Sequence, residues 1–249
     1  ERSTVRKPPE RSARPFARLP QARPVRKPRM GRAATDAKLA EERSEVLSRH
    51  GVSRETVERL DSYVTLLRAW QARINLISPT TVPEIWTRHL EDGLALTELA
   101  RGPNRWVDLG SGAGFPGLVL AIARKEREGG HVDLVESNAK KAAFLRTVIR
   151  ELALPAQVHA SRIEDCAEII GSAEAVSARA LASLTDLFAL VGAHLSADAT
   201  CWFPKGRNHD EEIAEASAHW RFDMVKHSSH IEDGSVVLEI RRLEALAGD

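Results

Sequence analysis

The chain has 249 residues, 43% of them hydrophobic, enough for one large core, and a formal net charge of +1. No apolar run is long enough to span a membrane or to serve as a secretory leader. Cys166 and Cys201, the only two cysteines, lie far apart without metal-ligand spacing, so a disulfide framework and a cysteine metal centre are excluded. A soluble, cytoplasmic, monomeric protein is expected.

The charge is unevenly spread. Residues 1–35 carry eleven Lys or Arg against two Glu and hold six of the twelve prolines, which leaves the remainder net acidic. Such a composition predicts a disordered basic extension. It reads either as an arm for RNA phosphates or as sequence upstream of a translation start at Met30. In the acidic remainder, any RNA site has to be a local patch.

Residues 36–50 read as a charged helix. From Ser53, a good N-cap, Val57, Leu60, Val64, Leu67, Trp70 and Ile74 recur at helical steps. Pro79 and Pro83 mark a turn, and a third helix is predicted over 85–99, making 36–100 a helical segment. Beyond it the pattern alternates. Strands are predicted at 105–109, 131–135, 156–160, 174–178 and 199–203. Helices are predicted at 116–127, 138–152, 164–170, 181–195 and 209–218. Two final strands, 221–227 and 235–241, form a hairpin through Glu232-Asp233-Gly234. Alternation with short connections predicts an α/β fold over 101–249: a mostly parallel, seven-stranded, Rossmann-like sheet wound on both faces, with an antiparallel C-terminal edge. Residues 36–249 are expected to form one compact unit.

The segment Trp106-Val107-Asp108-Leu109-Gly110-Ser111-Gly112-Ala113-Gly114-Phe115-Pro116-Gly117 is the most informative. A strand ends in a glycine-dense turn and a helix begins, which lets backbone N–H groups and a helix N-terminus cradle a nucleotide-like ligand. Gly112, Gly114 and Gly117 fit the dinucleotide spacing, but that match alone is weak. Asp108 would sit poorly beside a pyrophosphate, whereas a carboxylate can stabilise the ammonium and sulfonium groups of S-adenosylmethionine. Glu136, after the second strand, stands where an acid accepts hydrogen bonds from ribose hydroxyls. The turn is therefore read as an adenosylmethionine site, with a nicotinamide or flavin site and a purely structural turn as alternatives.

Ligands of wound sheets bind beyond the carboxyl ends of the strands. Those ends carry Asp108 and Gly110, then Glu136, then Ser161 and Arg162, then Arg179, then Lys205, so acids and glycines occupy one half of the edge and cations the other. That layout suits a cofactor beside a phosphate-bearing substrate. Lys140 and Lys141 extend the cation count, although a solvated helix face explains them equally well. The fourth strand lacks the motif of adenine amino-methylases, and no Pro-Cys pair supplies the nucleophile of cytosine C5 methylation. What remains is transfer to an atom that is already nucleophilic, such as guanine N7, which needs orientation rather than a general base. No catalytic side chain is then required, with Arg179 the one candidate. The nine histidines form no metal site. His227-Ser-Ser-His230 reads as surface, and His89, beside Arg88, as a helix-packing residue or a substrate contact.

Several motifs appear in order: Asn75-Leu76-Ile77, Arg88-His89-Leu90-Glu91-Asp92, the glycine turn above, Glu136-Ser137, Lys140-Lys141 with Phe144-Leu145, Ser161-Arg162-Ile163-Glu164, Ala178-Arg179-Ala180 and Lys205-Gly206. Over roughly residues 55–241 the chain resembles the ribosomal RNA small subunit methyltransferase G family, also called glucose-inhibited division protein B. The resemblance implies a class I methyltransferase fold and adenosylmethionine-dependent methylation of guanine N7 in 16S rRNA near the decoding centre. The substrate would be the rRNA or the small ribosomal subunit. It also implies that Gly110 and Phe115 line the cofactor, that Glu136 faces the ribose, and that Ile163 and Glu164 flank the adenine; the glycine turn and strand ends themselves add Asp108, Gly112, Gly114 and Ser137 to the expected cofactor set. By the resemblance Arg179 would sit between cofactor and RNA and Lys205 would contact RNA, and the placement of charge along the chain adds Arg88, His89, Lys140, Lys141 and Arg162 as expected RNA contacts. Gly93 stands where the family commonly has serine. A methyltransferase for another substrate and a cofactor-gated RNA-binding module without turnover are the competing readings.

Overall fold

The computed structural model describes residues 31–229 and 231–246. Residues 1–30 of the expected extension, Met30 among them, and His230 lie outside the described residues. Residues 32–35, expected in the extension, instead open the first helix, α1 (Arg32–Arg49). In α2 (Arg54–Gln71) the Ser53 hydroxyl accepts the Thr56 N–H at 3.2 Å, as its capping position requires, and Leu60, Tyr63, Val64 and Leu67 are buried.

The single helix expected over 85–99 is divided. A 3-10 turn at Val82–Glu84 leads into a π-helical turn at Trp86–Leu90 and then α3 (Glu91–Leu99). The Glu91 N–H donates to the Trp86 carbonyl five residues back, so one extra residue enters the turn. Trp86 and Leu90 stay in the core, while Arg88, His89 and Asp92 converge on a single neighbour, Arg179. Gly93 packs against α4 (Gly117–Ala123): a Cβ there would stand 2.5 Å from the Val119 Cβ, which leaves no room for serine without a shift of the helices.

The remaining elements are β1 (Arg105–Leu109), β2 (His131–Val135), α5 (Ala139–Leu152), β3 (Ala156–His159), α6 (Ala167–Ser172), β4 (Ala175–Ala178), α7 (Leu184–Val191), β5 (Thr200–Lys205), α8 (His209–Ser217), β6 (Trp220–Ser228) and β7 (Val236–Ala245). The sheet order is β3-β2-β1-β4-β5-β7-β6. β1 to β5 are parallel, β7 is antiparallel to β5, and β6 is antiparallel to β7. This is the expected mostly parallel sheet with an antiparallel edge. α7 is shorter than the predicted 181–195 because Ser183 caps it, its hydroxyl accepting the Asp186 N–H. Residues 179–182 are thereby left as a loop, with Ala180 in the left-handed region (φ 51°).

Strand alternation divides the core. Trp106, Leu134 and Trp202 pack with α1–α5 on one face, and Val107, Leu109, Val176 and Phe203 pack with α6–α8 on the other. Among the described residues no helix is long and apolar enough to cross a membrane.

An ion cluster centred on the buried His50 and Glu91 ties α1 to α3. His50 presents Nε2 to Glu91 at 2.9 Å and Nδ1 to Glu98 at 2.8 Å, and Arg49 pairs with the other Glu91 oxygen at 2.8 Å. With a carboxylate on each ring nitrogen the imidazole is held as a cation. The hydrogen bond to Glu91 is the main cause that raises its pKa above 6.5. A raised value means the stabilisation is complete below the ordinary imidazole pKa and lost as pH rises through the folded one. Urea unfolding should show wild type about 2 kcal/mol more stable than His50→Gln at pH 6, with the gap closing toward pH 9. A gap independent of pH would mean that the imidazolium is not the stabilising species.

Candidate active site at the carboxyl edge of the sheet

The glycine turn follows β1. Gly110, Gly112 and Gly114 all take positive φ (63°, 57° and 97°), which few side chains tolerate. Gly117 is glycine for a different reason, since a Cβ would lie 2.3 Å from Leu134 Cδ2 and 2.6 Å from Asp108 Oδ2. Beneath the turn the Asp108 carboxylate is fully buried. Ser177, its register partner on β4, donates to Oδ1 at 2.6 Å, and the Gly117 N–H donates to Oδ2 at 3.3 Å. Ser177 in turn accepts the Trp106 indole N–H at 2.9 Å. Burial raises the Asp108 pKa to about 6 against these hydrogen bonds. The expectation that Asp108 faces the cofactor is corrected accordingly. Alternation turns its side chain toward α4, and with no exposed surface it braces the turn rather than lining it.

Glu136 is placed where the ribose reading needs an acid. It ends β2, and one oxygen accepts the Gly112 N–H at 2.8 Å and the other the Asn138 N–H at 2.7 Å. Each carboxylate oxygen keeps a lone pair for a further donor. Beside Gly112 a Cβ would meet only the Gly110 carbonyl, at 3.7 Å, so that flank of the turn is open. Ser137 is exposed just beyond. Ile163 and Glu164 form a 3-10 turn after β3, the next strand along, with Ile163 half-buried and Glu164 exposed. The sheet order β3-β2-β1 thus sets these residues side by side along one edge. The donor set, a carboxylate with spare lone pairs beside an uncovered glycine backbone, fits an adenosine ribose.

The N-terminal helices hold the turn from above. The Tyr63 hydroxyl donates to the Ala113 carbonyl at 2.6 Å, and the Phe115 ring lies between Tyr63 (5.5 Å) and His89 (4.9 Å, stacked). Arg179, at the end of β4, completes the arrangement. Its Nε pairs with Asp92 at 2.8 Å, one Nη donates to His89 Nδ1 at 3.0 Å, and the other donates to the Arg88 carbonyl. His89 Nε2 reaches the Thr81 hydroxyl at 3.1 Å. Burial, with the Arg179 and Arg88 charges, pushes the His89 pKa down to about 3, so the ring is neutral and accepts through Nδ1. Burial lifts Asp92 to about 6, opposed by Arg179.

The cationic half of the edge differs from expectation. Lys205 is 8% exposed, paired with Glu212 at 2.7 Å and donating to the Ala182 carbonyl at 2.9 Å. His89 is enclosed by Phe115 and Arg179. Both are drawn into contacts inside the fold, the Lys205 ammonium through two of its three N–H groups and His89 through both ring nitrogens. Arg88, Lys140, Lys141 and Arg162 do reach the surface, Arg88 with Glu84 as partner at 3.0 Å. Arg88, Arg179 and Lys205 share one cleft of about 360 Å³ with Asp92, Glu212 and Glu232. Among the described residues no cluster of His, Cys, Asp or Glu could hold a metal ion, and His227 is taken by Glu239 at 2.8 Å. Sequence reasoning passed over Tyr63, Asp92 and Ser177. Only Asp92 carried a signal, as an acid between the buried leucines 90 and 94.

A seven-stranded 3-2-1-4-5-7-6 sheet with a glycine turn after its first strand and an acid ending its second defines a class I methyltransferase. Solved structures agree in fold. A mutant of MtNAS aligns with TM-score 0.51 at 16% identity over 84% of this chain and 77% of that one. A methyltransferase from Geobacter sulfurreducens aligns with TM-score 0.50 at 13% identity, over 72% and 90%. The family model described as rRNA small subunit methyltransferase G matches residues 56–236. The proteins of that name from Brucella ovis and Brucella canis are each 51% identical over 192 residues, 77% of this chain and 90% of theirs. The chain belongs to the ribosomal RNA small subunit methyltransferase G family. It is a 16S rRNA methyltransferase, and its cofactor is S-adenosylmethionine.

Removing the Asp92 carboxylate strands the Arg179 charge, still only 19% exposed, against neutral partners. Asp92→Ala should lower unfolding free energy by about 2–4 kcal/mol. Denaturant midpoints within error of wild type would show that the pair does not hold the helices to the sheet.

Proposed function

We propose that the methylated atom is N7 of a guanine in 16S rRNA, and that the protein acts as a cytoplasmic monomer. The observation that carries this reading is that the titratable groups gathered at the Arg179 end of the edge, beside the glycine turn, are already engaged with partners inside the fold. His89 is neutral with both ring nitrogens engaged, and Asp92 and Asp108 are buried on partners of their own. Guanine N7 carries an exposed lone pair and no proton, so it asks only for alignment. Bound S-adenosylmethionine supplies a methyl group on a sulfonium, which a lone pair displaces with the C–S electrons returning to sulfur. The protein's part is then positional. Glu136 takes the ribose hydroxyls on its spare lone pairs, Gly112 lets the donor lie against the backbone on the open flank of the turn, and Ile163 and Glu164 border the adenine. Arg179 stands where the donor meets the target base. Arg88, Lys140, Lys141 and Arg162 meet backbone phosphates.

Nucleoside mass spectrometry of 16S rRNA from cells lacking the gene should show the loss of one N7-methylguanosine, and an unchanged profile rejects the reading. For Glu136→Ala, calorimetry with adenosylhomocysteine should show binding weakened by about 1–3 kcal/mol. An unchanged dissociation constant would remove Glu136 from the cofactor site.

A further inference from the structure

The cleft shared by Arg88, Arg179 and Lys205 is not the phosphate site that its cations suggest. Asp92, Glu212 and Glu232 line it too, so the described lining residues balance in charge. Arg179 is neutralised by Asp92 at 2.8 Å and Lys205 by Glu212 at 2.7 Å. A phosphate entering here would meet three carboxylates. A neutral planar heterocycle with donors on one edge and acceptors on another would meet complementary groups. Pro204, Ile231 and Val236 supply apolar surface for its faces.

The sheet gives this cleft a direction. One end is the close of β4, where Arg179 joins the glycine turn through His89 and Phe115. From there it passes the end of β5 to the loop between β6 and β7, which lie beyond β5 in the sheet order. Guanine has matching polarity. N7 has to stay unbonded and face the methyl donor, O6 is next to N7, and the donors N1–H and N2–H lie across the ring. A carboxylate that reads those donors has to stand at the end far from the glycine turn.

Glu232 is the carboxylate at that end. One of its oxygens accepts from Arg207 at 2.7 Å, and the other has no partner among the described residues. Its backbone is fixed, since Ser235 Oγ donates to the Glu232 carbonyl at 2.7 Å and accepts its N–H at 3.2 Å. Asp92 is at the donor end, and Glu212 is held by Lys205 and the Leu184 N–H. Resting on the guanine-N7 reading above, we propose that this cleft seats the target base and that Glu232 selects guanine by accepting from N1–H and N2–H. Arg179 gives one N–H to His89 and one to the Arg88 carbonyl and pairs its Nε with Asp92, so each terminal nitrogen keeps a second N–H that can meet O6.

The test uses the full-length enzyme and 16S rRNA from cells lacking it. Wild type first has to yield N7-methylguanosine; any other product overturns the underlying reading and this inference with it. Glu232→Gln and Glu232→Ala should then lose about 10- to 100-fold in kcat/KM, the range of a bidentate base contact. Adenosylhomocysteine affinity and melting midpoint should be unchanged. A ligated rRNA with inosine at the methylated position, which lacks the N2 amine, separates recognition from loop structure. Wild type should lose activity on it, and Glu232→Ala should lose little more. Wild-type kcat/KM in both variants, or an equal inosine penalty in wild type and variant, would overturn the assignment.

Discussion

Burying an ionised carboxylate costs several kcal/mol unless its oxygens are satisfied, and Asp108 is buried completely. Ser177, its register partner on β4, and the first N–H of α4 satisfy it, so one side chain joins β1, β4 and α4. The shape of the glycine turn follows from that junction. Gly117 has to lack a Cβ to approach the carboxylate, and the backbone between them has only a short path, taken through three left-handed glycines. Once the turn is fixed, the Gly112 N–H meets Glu136, and the cofactor edge is assembled from two neighbouring strands.

Arg179 plays the corresponding part between layers. Its partners Arg88, His89 and Asp92 fall within five residues, at spacings that set them along one side of the helical segment. The helical segment is therefore part of the site. It contributes the stack on Phe115, the hydrogen bond from Tyr63 to the turn, and the carboxylate that keeps a half-buried guanidinium in place.

Much of this was legible in the sequence. Hydrophobic patterning marked the strands: inner parallel strands such as β4, covered on both faces, are short apolar runs, and the edge strand β6 alternates. The glycine spacing located the turn, and strand ends located Glu136 and Arg179. What the sequence withheld depends on three-dimensional pairing. The π turn leaves no trace in a pattern of buried leucines that an α-helix also satisfies. The direction of Asp108 follows from which face its strand position serves. Lys205 and His89 looked available because their partners, Glu212 and Arg179, are set beside them by the fold. Charge along a sheet edge predicts a cation's location and not whether it is already taken.

That distinction bears on how a chain whose residues 36–249 are net acidic could approach RNA on the proposed reading. Unpaired or weakly paired cations lie at the rim: Lys140 at the start of α5, Arg162 after β3, and Arg88 partly exposed beside Glu84. Cations deeper in the edge are matched one to one with carboxylates. Contacts from such rim cations to phosphate, as proposed, would be screened by salt and release counterions, governing affinity without sensing sequence. The interior pairs have no net charge to attract a backbone, yet they present fixed donors and acceptors whose hydrogen bonds strengthen as water leaves. On the proposed reading, attraction and discrimination fall to different residues, and the net acidity of residues 36–249 disfavours RNA that presents no base to the cleft.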